Sequence, residues 1–207
     1  IDRAGIPFVA ISLLFGAFLI VVGLFKWSLP FMALVGFFVF FFRDPDRKVP
    51  QLHDVVVAPA DGRVVYAGQP DPDVVPAGSW KQISIFLSPL DVHVNRTPIS
   101  GKVVRVEYRP GRFFPAYRKD ASRDNEHCEI WINYNGRTVI CRQIVGLLAR
   151  RVICRLKPGM VIGLGQRFGI MKFGSRMDVF IQEEVSLRVQ VGDSVRGGET
   201  ILATLGQ

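Results

Sequence analysis

The segment Glu129–Arg137 (EIWINYNGR) carries the clearest structural signal in this chain of 207 residues. Residues Glu129–Tyr134 are rich in β-branched and aromatic side chains, which favour strands. Asn135 and Gly136 come next, and this pair suits a type I′ turn because both central residues of that turn need positive φ angles. The segment therefore predicts a hairpin turn within an antiparallel β fold.

Further strand-like runs lie on both sides of this turn, bounded by Gly, Pro, Asn and Asp. A helix cannot continue through Asp44-Pro45, because the residue before a proline is pushed out of the α region. Helical periodicity nearly disappears in the residues that follow. The sequence therefore predicts a mainly β fold built of antiparallel strands, with a further strand or two in 143–153. The other predicted strands are Val55–Val57, Arg63–Tyr66, Gln82–Leu87 and Lys102–Tyr108.

Two turn segments resemble each other, Ala58–Val64 (APADGRV) and Val191–Glu199 (VGDSVRGGE). Both are similar to the corners of a barrel-sandwich hybrid, the fold of lipoyl and biotinyl carrier domains, where an Asp-Gly or Gly-Asp turn lies at each corner. This resemblance implies a barrel-sandwich-hybrid-like core of short strands in two small sheets. Because the two segments are far apart in the chain, such a core would carry a long insertion.

The N-terminal part of the chain is strongly apolar. Ile6–Phe25 is an uncharged run of twenty residues, and Leu29–Phe42 is a second run of fourteen. The first run can cross the hydrocarbon core of a bilayer as a helix, whereas the second is short for a full span. We predict a membrane anchor in residues 1–43, arranged as a helical hairpin, followed by a catalytic β domain in residues 44–207. A cleaved signal peptide is the alternative, but no small-residue cleavage pattern precedes the second run.

The basic charge of the chain indicates an anionic partner. Arg43, Arg47 and Lys48 follow the second apolar run, and basic residues beside a span favour the cytoplasmic side. The formal charge of +8 and the pI near 9.8 fit an anionic partner, either an acidic bilayer or nucleic acid. The apolar N-terminus favours the anionic membrane, so we predict the cell (inner) membrane, with the catalytic domain on its cytoplasmic side and no nucleic-acid partner.

The cysteines do not predict a metal site. Cys128, Cys141 and Cys154 show neither paired metal-ligand spacing nor an even disulfide count. We therefore expect reduced, mostly buried thiols.

The pair Gly174-Ser175 is a candidate for self-cleavage, since it ends a glycine-rich run and precedes an apolar strand. A serine hydroxyl can attack the preceding carbonyl when the turn is tight, and glycine tolerates strained dihedral angles. His93 is the candidate base because imidazole titrates near neutrality, and Asp61 is the candidate carboxylate that orients it. The alternatives are a plain glycine turn with an exposed serine, a structural histidine at a strand end and a turn aspartate.

Several motifs, in their shared order along the chain, resemble the phosphatidylserine decarboxylase proenzyme family, specifically its short bacterial and archaeal type. No single motif would suffice, but together they extend over most of the chain. Besides the paired apolar runs, the motifs are Phe41–Pro45 (FFRDP), Ala58–Gly62 (APADG), Phe86–Asn95 (FLSPLDVHVN), Asn125-Glu126 and Phe173–Ser175 (FGS).

The resemblance implies a mechanism. Ser175 would attack the Gly174 carbonyl, and an N-to-O acyl shift followed by β-elimination would split the chain into a large fragment 1–174 and a small fragment 175–207. Residue 175 would become a pyruvoyl group, a cofactor that needs no metal. This ketone would form a Schiff base with the amine of phosphatidylserine, or of a related phosphoserine lipid, and accept the electrons released with carbon dioxide. The product would be phosphatidylethanolamine. The family also implies associated fragments and a homodimer.

The resemblance also assigns roles to single residues. Ser175 is implied as nucleophile and pyruvoyl precursor, and Gly174 as the scissile partner. Asp61 is implied as the orienting carboxylate, and His93 as the histidine near the decarboxylation centre. Longer family members have a second histidine three residues after the first, as the base for self-cleavage, whereas this chain has Arg96 there. Either His93 serves both steps or another group activates Ser175, and we assign self-cleavage to His93 as a hypothesis.

The loop 110–125 contains more aromatic and basic residues than we expect of a loop that only connects two strands. Its basic side chains could meet the lipid phosphate while its aromatic rings lie among the acyl chains. The alternative is a solvated basic loop that packs its rings on the domain. The predicted substrate-binding residues are Arg112, Phe113, Phe114, Arg118, Asn95 and Arg96.

Two other function classes stay open. A membrane-tethered lipoyl- or biotinyl-like carrier or adaptor, without decarboxylase activity, would use Lys172 as the modified lysine. In such carriers, however, the Ala-Pro-x-Asp-Gly turn lies between the lysine and the Gly-Asp corner, whereas here it lies far upstream. A nucleic-acid binder has weak support because the basic residues are dispersed.

Overall fold

The computed structural model describes residues 1–75, 78–118, 120–147, 152–172 and 175–205. The chain divides into two compact units, Ile1–Pro45 and Asp46–Gln207. The first unit consists of apolar helices and the second of antiparallel sheets. The predicted class, mainly β with an N-terminal apolar helical segment, is confirmed.

The helices of the first unit pack against each other in opposite directions. Phe8 lies against Phe38, with ring centroids 5.2 Å apart, and Phe15 stacks on Phe31 at 5.5 Å. The segment Arg3–Val21 has 19 residues and a mean hydropathy of 2.4, so by length and composition it can cross a membrane. The elements are a 3₁₀ helix (Arg3–Gly5), α1 (Ile6–Val21) and α2 (Phe25–Phe41).

The break between the two helices lies at Gly23, not at the Lys26-Trp27-Ser28 interruption of the apolar pattern. Gly23 has a φ of 80°, a left-handed conformation that suits glycine and ends a helix. Lys26 and Trp27 instead lie in the first turn of α2. A single charged residue interrupts the apolar pattern without breaking backbone hydrogen bonds, so the helix break and the interruption of the pattern do not coincide.

The second unit carries short and medium strands and one short helix. Its elements are β1 (Val55–Val57), β2 (Gly62–Gly68), β3 (Trp80–Leu87), β4 (Val94–Arg96), β5 (Gly101–Arg109), α3 (Ala121–Asp124), β6 (His127–Tyr134), β7 (Arg137–Val145), β8 (Val152–Cys154), β9 (Val161–Ile162), β10 (Arg167–Met171), β11 (Ser175–Gln182), β12 (Ser186–Leu187), β13 (Ser194–Val195) and β14 (Ile201–Thr204).

These strands form one large sheet and two small sheets. The large sheet has the order β13-β2-β3-β11-β7-β6-β5-β9, and the small sheets have the orders β1-β14-β12 and β4-β10-β8. The predicted hairpin joins β6 to β7, with Asn135 at φ 49° and Gly136 at φ 83°. Both central residues of the turn thus have positive φ, as a type I′ turn requires.

The two small sheets cover the apolar face of the large sheet. Alternate residues of β11, namely Met177, Val179 and Ile181, are fully buried in one continuous apolar core, because side chains two apart on a strand share a face. In the contact between layers, Gln143 Nε2 of β7 donates to Asn95 Oδ1 of β4 over 2.7 Å. The sheets are therefore layered, and the linear strand order of the described large sheet does not close into a barrel.

The two turn segments that resemble hybrid corners meet each other. The backbone N–H of Gly198 donates to the Ala58 carbonyl, and that of Gly197 donates to Asp61 Oδ1, both over 2.8 Å. Strand β13 pairs with β2 immediately beyond these contacts. The N-terminal and C-terminal parts of this unit are thus joined at one place.

The opposite face of the large sheet buries ion pairs. Arg176 pairs with Asp178 over 2.6 Å, and Arg142 pairs with Glu129 over 2.5 Å, with all four side chains at most 6% exposed. The Ser122 carbonyl of α3 also accepts from Arg142 over 3.1 Å. Helix α3 is thereby bonded to this face, and its carbonyl supplies one of the hydrogen bonds that a buried charge needs.

We expect Arg142→Met to lower the free energy of unfolding by about 3 to 5 kcal/mol, because it leaves the Glu129 carboxylate buried without its cation. The double variant Glu129→Gln/Arg142→Met removes both charges and should recover part of that loss. Denaturant unfolding of the full chain in detergent measures both values. A double variant at least as unstable as the single one would contradict this account.

Candidate active site

Ser175 is the first residue of β11 and lies in the interior of the large sheet. It pairs with Leu87 of β3 on one side and with Val145 of β7 on the other. The residue is fully buried, and its Oγ has no hydrogen-bond partner among the residues that the structure describes. A buried hydroxyl without a partner is unfavourable in a folded protein, which marks this position as a candidate for chemistry.

Gly174, the predicted scissile partner of Ser175, lies outside the described residues together with Phe173. Lys172 is the last described residue before this pair, and Ser175 is the first after it.

His93 is fully buried just before β4. Its Nδ1 lies 2.9 Å from the backbone carbonyl oxygen of Asp91. Because a carbonyl oxygen can only accept, the neutral ring carries its hydrogen on Nδ1, and Nε2 holds the lone pair. This tautomer is the one that a general base needs when its substrate lies on the Nε2 side.

The sheet pairing brings His93 to the end of the large sheet where Ser175 lies. His93 and Asn95 are two residues apart in an extended segment, so both side chains face the large sheet, where Asn95 contacts Gln143. On the neighbouring β10, the Met171 N–H donates to the His93 carbonyl over 3.3 Å. Ser175 follows Met171 after four residues, a chain length of at most about 14 Å.

Arg96, which stands where the longer relatives are expected to have a second histidine, is 6% exposed and braced by backbone groups. Its Nη1 donates to the Gly165 carbonyl over 3.2 Å, and its own N–H donates to the Pro59 carbonyl over 2.8 Å. A Cβ on Gly198 would come within 2.9 Å of Arg96 Cδ. Arg96 therefore packs where the turn segments 58–64 and 191–199 meet.

Asp61 lies at the same corners, and both of its carboxylate oxygens have partners. Oδ2 accepts from Arg47 and Oδ1 from the Gly197 N–H, each over 2.8 Å. The bond that orients His93 comes instead from the Asp91 carbonyl. An orienting role for Asp61 toward His93 thus stays a prediction, and the contacts of Asp61 join the corners.

Asp91 is a residue whose role the sequence did not reveal. Its Oδ2 accepts from the Ser88 N–H over 2.7 Å, which closes the turn that carries His93. The Ser88-Pro89-Leu90-Asp91 spacing is typical of such a turn. The pattern could have predicted the turn, but not which carbonyl the imidazole would meet.

The predicted substrate-binding loop is attached to the strand beside Ser175. Asn125 Nδ2 donates to the carbonyls of Phe114 and Val145, over 2.8 and 2.9 Å, and its Oδ1 accepts from the Phe114 N–H. Val145 is the β7 partner of Ser175. Asn125 appeared in the sequence only as part of a motif, and the structure gives it this positioning role.

The side chains of this loop combine cations with aromatic rings. Arg112 and Arg118 lie 5.5 and 5.0 Å from the centroid of Phe114, and Arg118 also pairs with Asp120 over 2.7 Å. Phe113 is 36% exposed. The loop therefore presents an exposed basic and aromatic surface whose backbone is tied to the Ser175 end of the large sheet.

A second buried histidine, His127, begins β6 with a similar arrangement. Its Nδ1 lies 2.7 Å from the Asn125 carbonyl, and burial lowers the pKa of the ring below its ordinary value. His127 is paired with Ile144 of β7, one residue before Val145. It therefore belongs to the face of the sheet opposite Ser175, since successive residues alternate.

The other reactive or metal-ligating groups are the cysteine thiols and the His, Asp and Glu side chains. Cys128 and Cys141 are buried and Cys154 is half-buried, all as free thiols. A hydrogen bond with Cys154, together with burial, raises the pKa of the Cys128 thiol, and burial raises that of Cys141. Within the described ranges, no group of three or more His, Cys, Asp or Glu side chains is placed to hold a metal ion.

Comparison with known proteins agrees with the motif order. The family model described as phosphatidylserine decarboxylase matches residues 34–203. The phosphatidylserine decarboxylase proenzyme of Desulfotalea psychrophila is 38% identical over 210 residues, 99% of this chain and 96% of that protein. The proenzyme of Solibacter usitatus is 44% identical over 177 residues, 86% of this chain and 83% of that protein.

A third relative also matches nearly the whole chain. The phosphatidylserine decarboxylase proenzyme of Nitrosomonas europaea is 39% identical over 204 residues, 98% of this chain and 94% of that protein. Both the family model and these relatives confirm the resemblance seen in the motifs. The chain therefore belongs to the phosphatidylserine decarboxylase family.

Proposed function

We propose that this chain cuts itself between Gly174 and Ser175 and then decarboxylates phosphatidylserine to phosphatidylethanolamine with a pyruvoyl group made from Ser175. The family is one of decarboxylases, so a carrier or adaptor without that activity loses its basis. The observation that carries the proposal is the Ser175 hydroxyl, which is buried without a partner among the described residues at the start of β11.

Self-cleavage begins when His93 takes the proton of Ser175 Oγ, which then attacks the carbonyl carbon of residue 174. The C–N bond between residues 174 and 175 breaks, the nitrogen takes the proton, and an ester forms without loss of atoms. Removal of the Ser175 α-proton then expels the carboxylate of residue 174 and leaves dehydroalanine. Water converts this group to pyruvoyl and releases ammonia. The Nδ1–H tautomer of His93, set by the Asp91 carbonyl, supports the first step.

The surroundings of Ser175 fit a pyruvoyl group. The new group would take the place of a buried hydroxyl that has no partner among the described residues to lose, and the paired Leu87 and Val145 fix the strand end that would hold it. A ketone at this position would supply an electron sink for the decarboxylation of a substrate that carries an amine. His93 is proposed to stand near this centre, and Asn95 and Arg96 to contact substrate.

The sheet pairing supports fragments that stay associated after cleavage. Fragment 175–207 would contribute β11 to the interior of the large sheet, between β3 and β7 of fragment 1–174. It would also contribute β13, which pairs with β2, and β14, which pairs with β1. Separating the fragments would expose the apolar core and break these ladders, so we expect one folded domain of two chains.

The apolar N-terminal residues and the basic, aromatic loop together support a membrane arrangement. Residues 1–43 would anchor the chain in the cell (inner) membrane, and residues 44–207 would form the catalytic domain on the cytoplasmic side, as Arg43, Arg47 and Lys48 favour. The exposed Phe113, together with Arg112 and Arg118 around Phe114, suits contact with a lipid and its phosphate. We also propose a homodimer, on the basis of the family.

We expect the Ser175→Ala chain to stay in one piece and to release no carbon dioxide from phosphatidylserine in mixed micelles. The unaltered chain should give two fragments on denaturing electrophoresis and produce phosphatidylethanolamine. Ser186→Ala changes an exposed serine on β12 and is the matched control that should behave as the unaltered chain. Running the assay with an isoprenoid phosphoserine lipid as well identifies the preferred chains. Decarboxylation by Ser175→Ala would overturn the proposal.

We expect His93→Ala to block self-cleavage, because no other imidazole is assigned to take the Ser175 proton. His127→Ala is the matched control, since His127 is also buried with its Nδ1 on a backbone carbonyl but belongs to the opposite face of the sheet. The time course of fragment appearance after synthesis measures both. Normal processing of His93→Ala would remove His93 from this step.

A further inference from the structure

Gln143 and Asn95 form a fully buried amide pair that joins the large sheet to the small sheet β4-β10-β8. Gln143 lies two residues before Val145, the β7 partner of Ser175. Ser175 and Gln143 are therefore diagonal neighbours on one face of paired strands, roughly 7 to 8 Å apart. The amide pair thus lies beside the candidate nucleophile.

The hydrogen bonds fix which way both amides point. Gln143 Nε2 donates to Asn95 Oδ1 over 2.7 Å and to the Ile153 carbonyl over 3.4 Å. The Ile153 carbonyl can only accept, so the NH₂ group of Gln143 must lie on that side. Asn95 must then present its oxygen to Gln143, because the reverse orientation would bring two donors together. Its Nδ2 consequently points away from Gln143.

Asn95 Nδ2 is a buried donor without an acceptor among the described residues. Gln143 Oε1 is a buried acceptor without a donor, and the Ser175 hydroxyl has neither an acceptor nor a donor, among the same residues. Buried polar groups in native proteins are nearly always hydrogen-bonded, so a cluster of exceptions points to a group that forms or binds only during function. A lone NH₂ donor suits an oxygen that becomes negative.

We propose that Asn95 Nδ2 donates a hydrogen bond to the oxyanion that forms when Ser175 Oγ attacks the preceding carbonyl, and that Gln143 is the positioning residue that keeps this donor turned toward it. The inference rests on the proposed self-cleavage. In the step concerned, the Oγ–C bond forms, the carbonyl electron pair moves to its oxygen, and the Oγ proton leaves to the base. Collapse of the oxyanion expels the nitrogen of residue 175 and gives the ester.

The test compares two isosteric or near-isosteric variants in the full chain in detergent. Asn95→Asp keeps an oxygen for Gln143 Nε2 but removes the donor, and we expect self-cleavage to slow by on the order of 100-fold to 1000-fold. Gln143→Met removes the group that orients Asn95 and should give a smaller slowing. The matched control is Gln82→Met, since Gln82 is a buried amide that bonds to Ser84 and Asp178 on the opposite face, and it should cut at the unaltered rate.

Hydroxylamine separates a role in ester formation from a role in the later elimination, because it cuts the chain at an ester. If Asn95 assists ester formation, hydroxylamine will not restore cutting in Asn95→Asp. Restored cutting, or an unaltered rate in both variants, would overturn the inference. If Asn95→Asp fails to fold by thermal unfolding, Gln143→Met decides by the same two readouts. Failure of the unaltered chain to cut would instead count against the proposed function itself.

Discussion

Strand β11 is hydrogen-bonded on both sides from Ser175 to Phe180, to β3 and to β7. Its register is held by the apolar residues Met177 and Val179, which are fully buried in the core. A slip of one residue would turn all of these side chains to the opposite face. The same register places Ser175 on the core side of the strand, so the packing that stabilises the sheet also fixes the position of the candidate nucleophile.

The small sheet β4-β10-β8 is connected along the chain to both proposed reaction partners, Ser175 and His93. Strand β10 leads along the chain toward Ser175, and its neighbour β4 follows directly after His93. The turn segments 58–64 and 191–199 meet where Asp61 is bonded to Arg47 and Gly197. The bond to Gly197 connects the chain that precedes β4 to the chain that follows β10. The proposed reaction between two distant parts of the chain would therefore depend on layer packing and not on a local motif.

The sequence predicted those parts of the fold that local chemistry controls. The Asn135-Gly136 turn and the β-branched runs determine strands through backbone preference, and the structure has them. The position of the helix break at Gly23 does not follow from the apolar pattern, because it depends on the left-handed φ that glycine permits. The contacts of Asp61, Asp91 and Gln143 could not be predicted, since each depends on which carbonyl or amide the tertiary pairing brings near.

The mass of the small fragment from the purified full chain tests the central claim most directly. If Ser175 becomes a pyruvoyl group, the fragment will have the mass of peptide 175–207 less one ammonia, and its N-terminus will be blocked to sequential degradation. A single uncut chain, or a fragment that begins with an unmodified serine, would contradict the account.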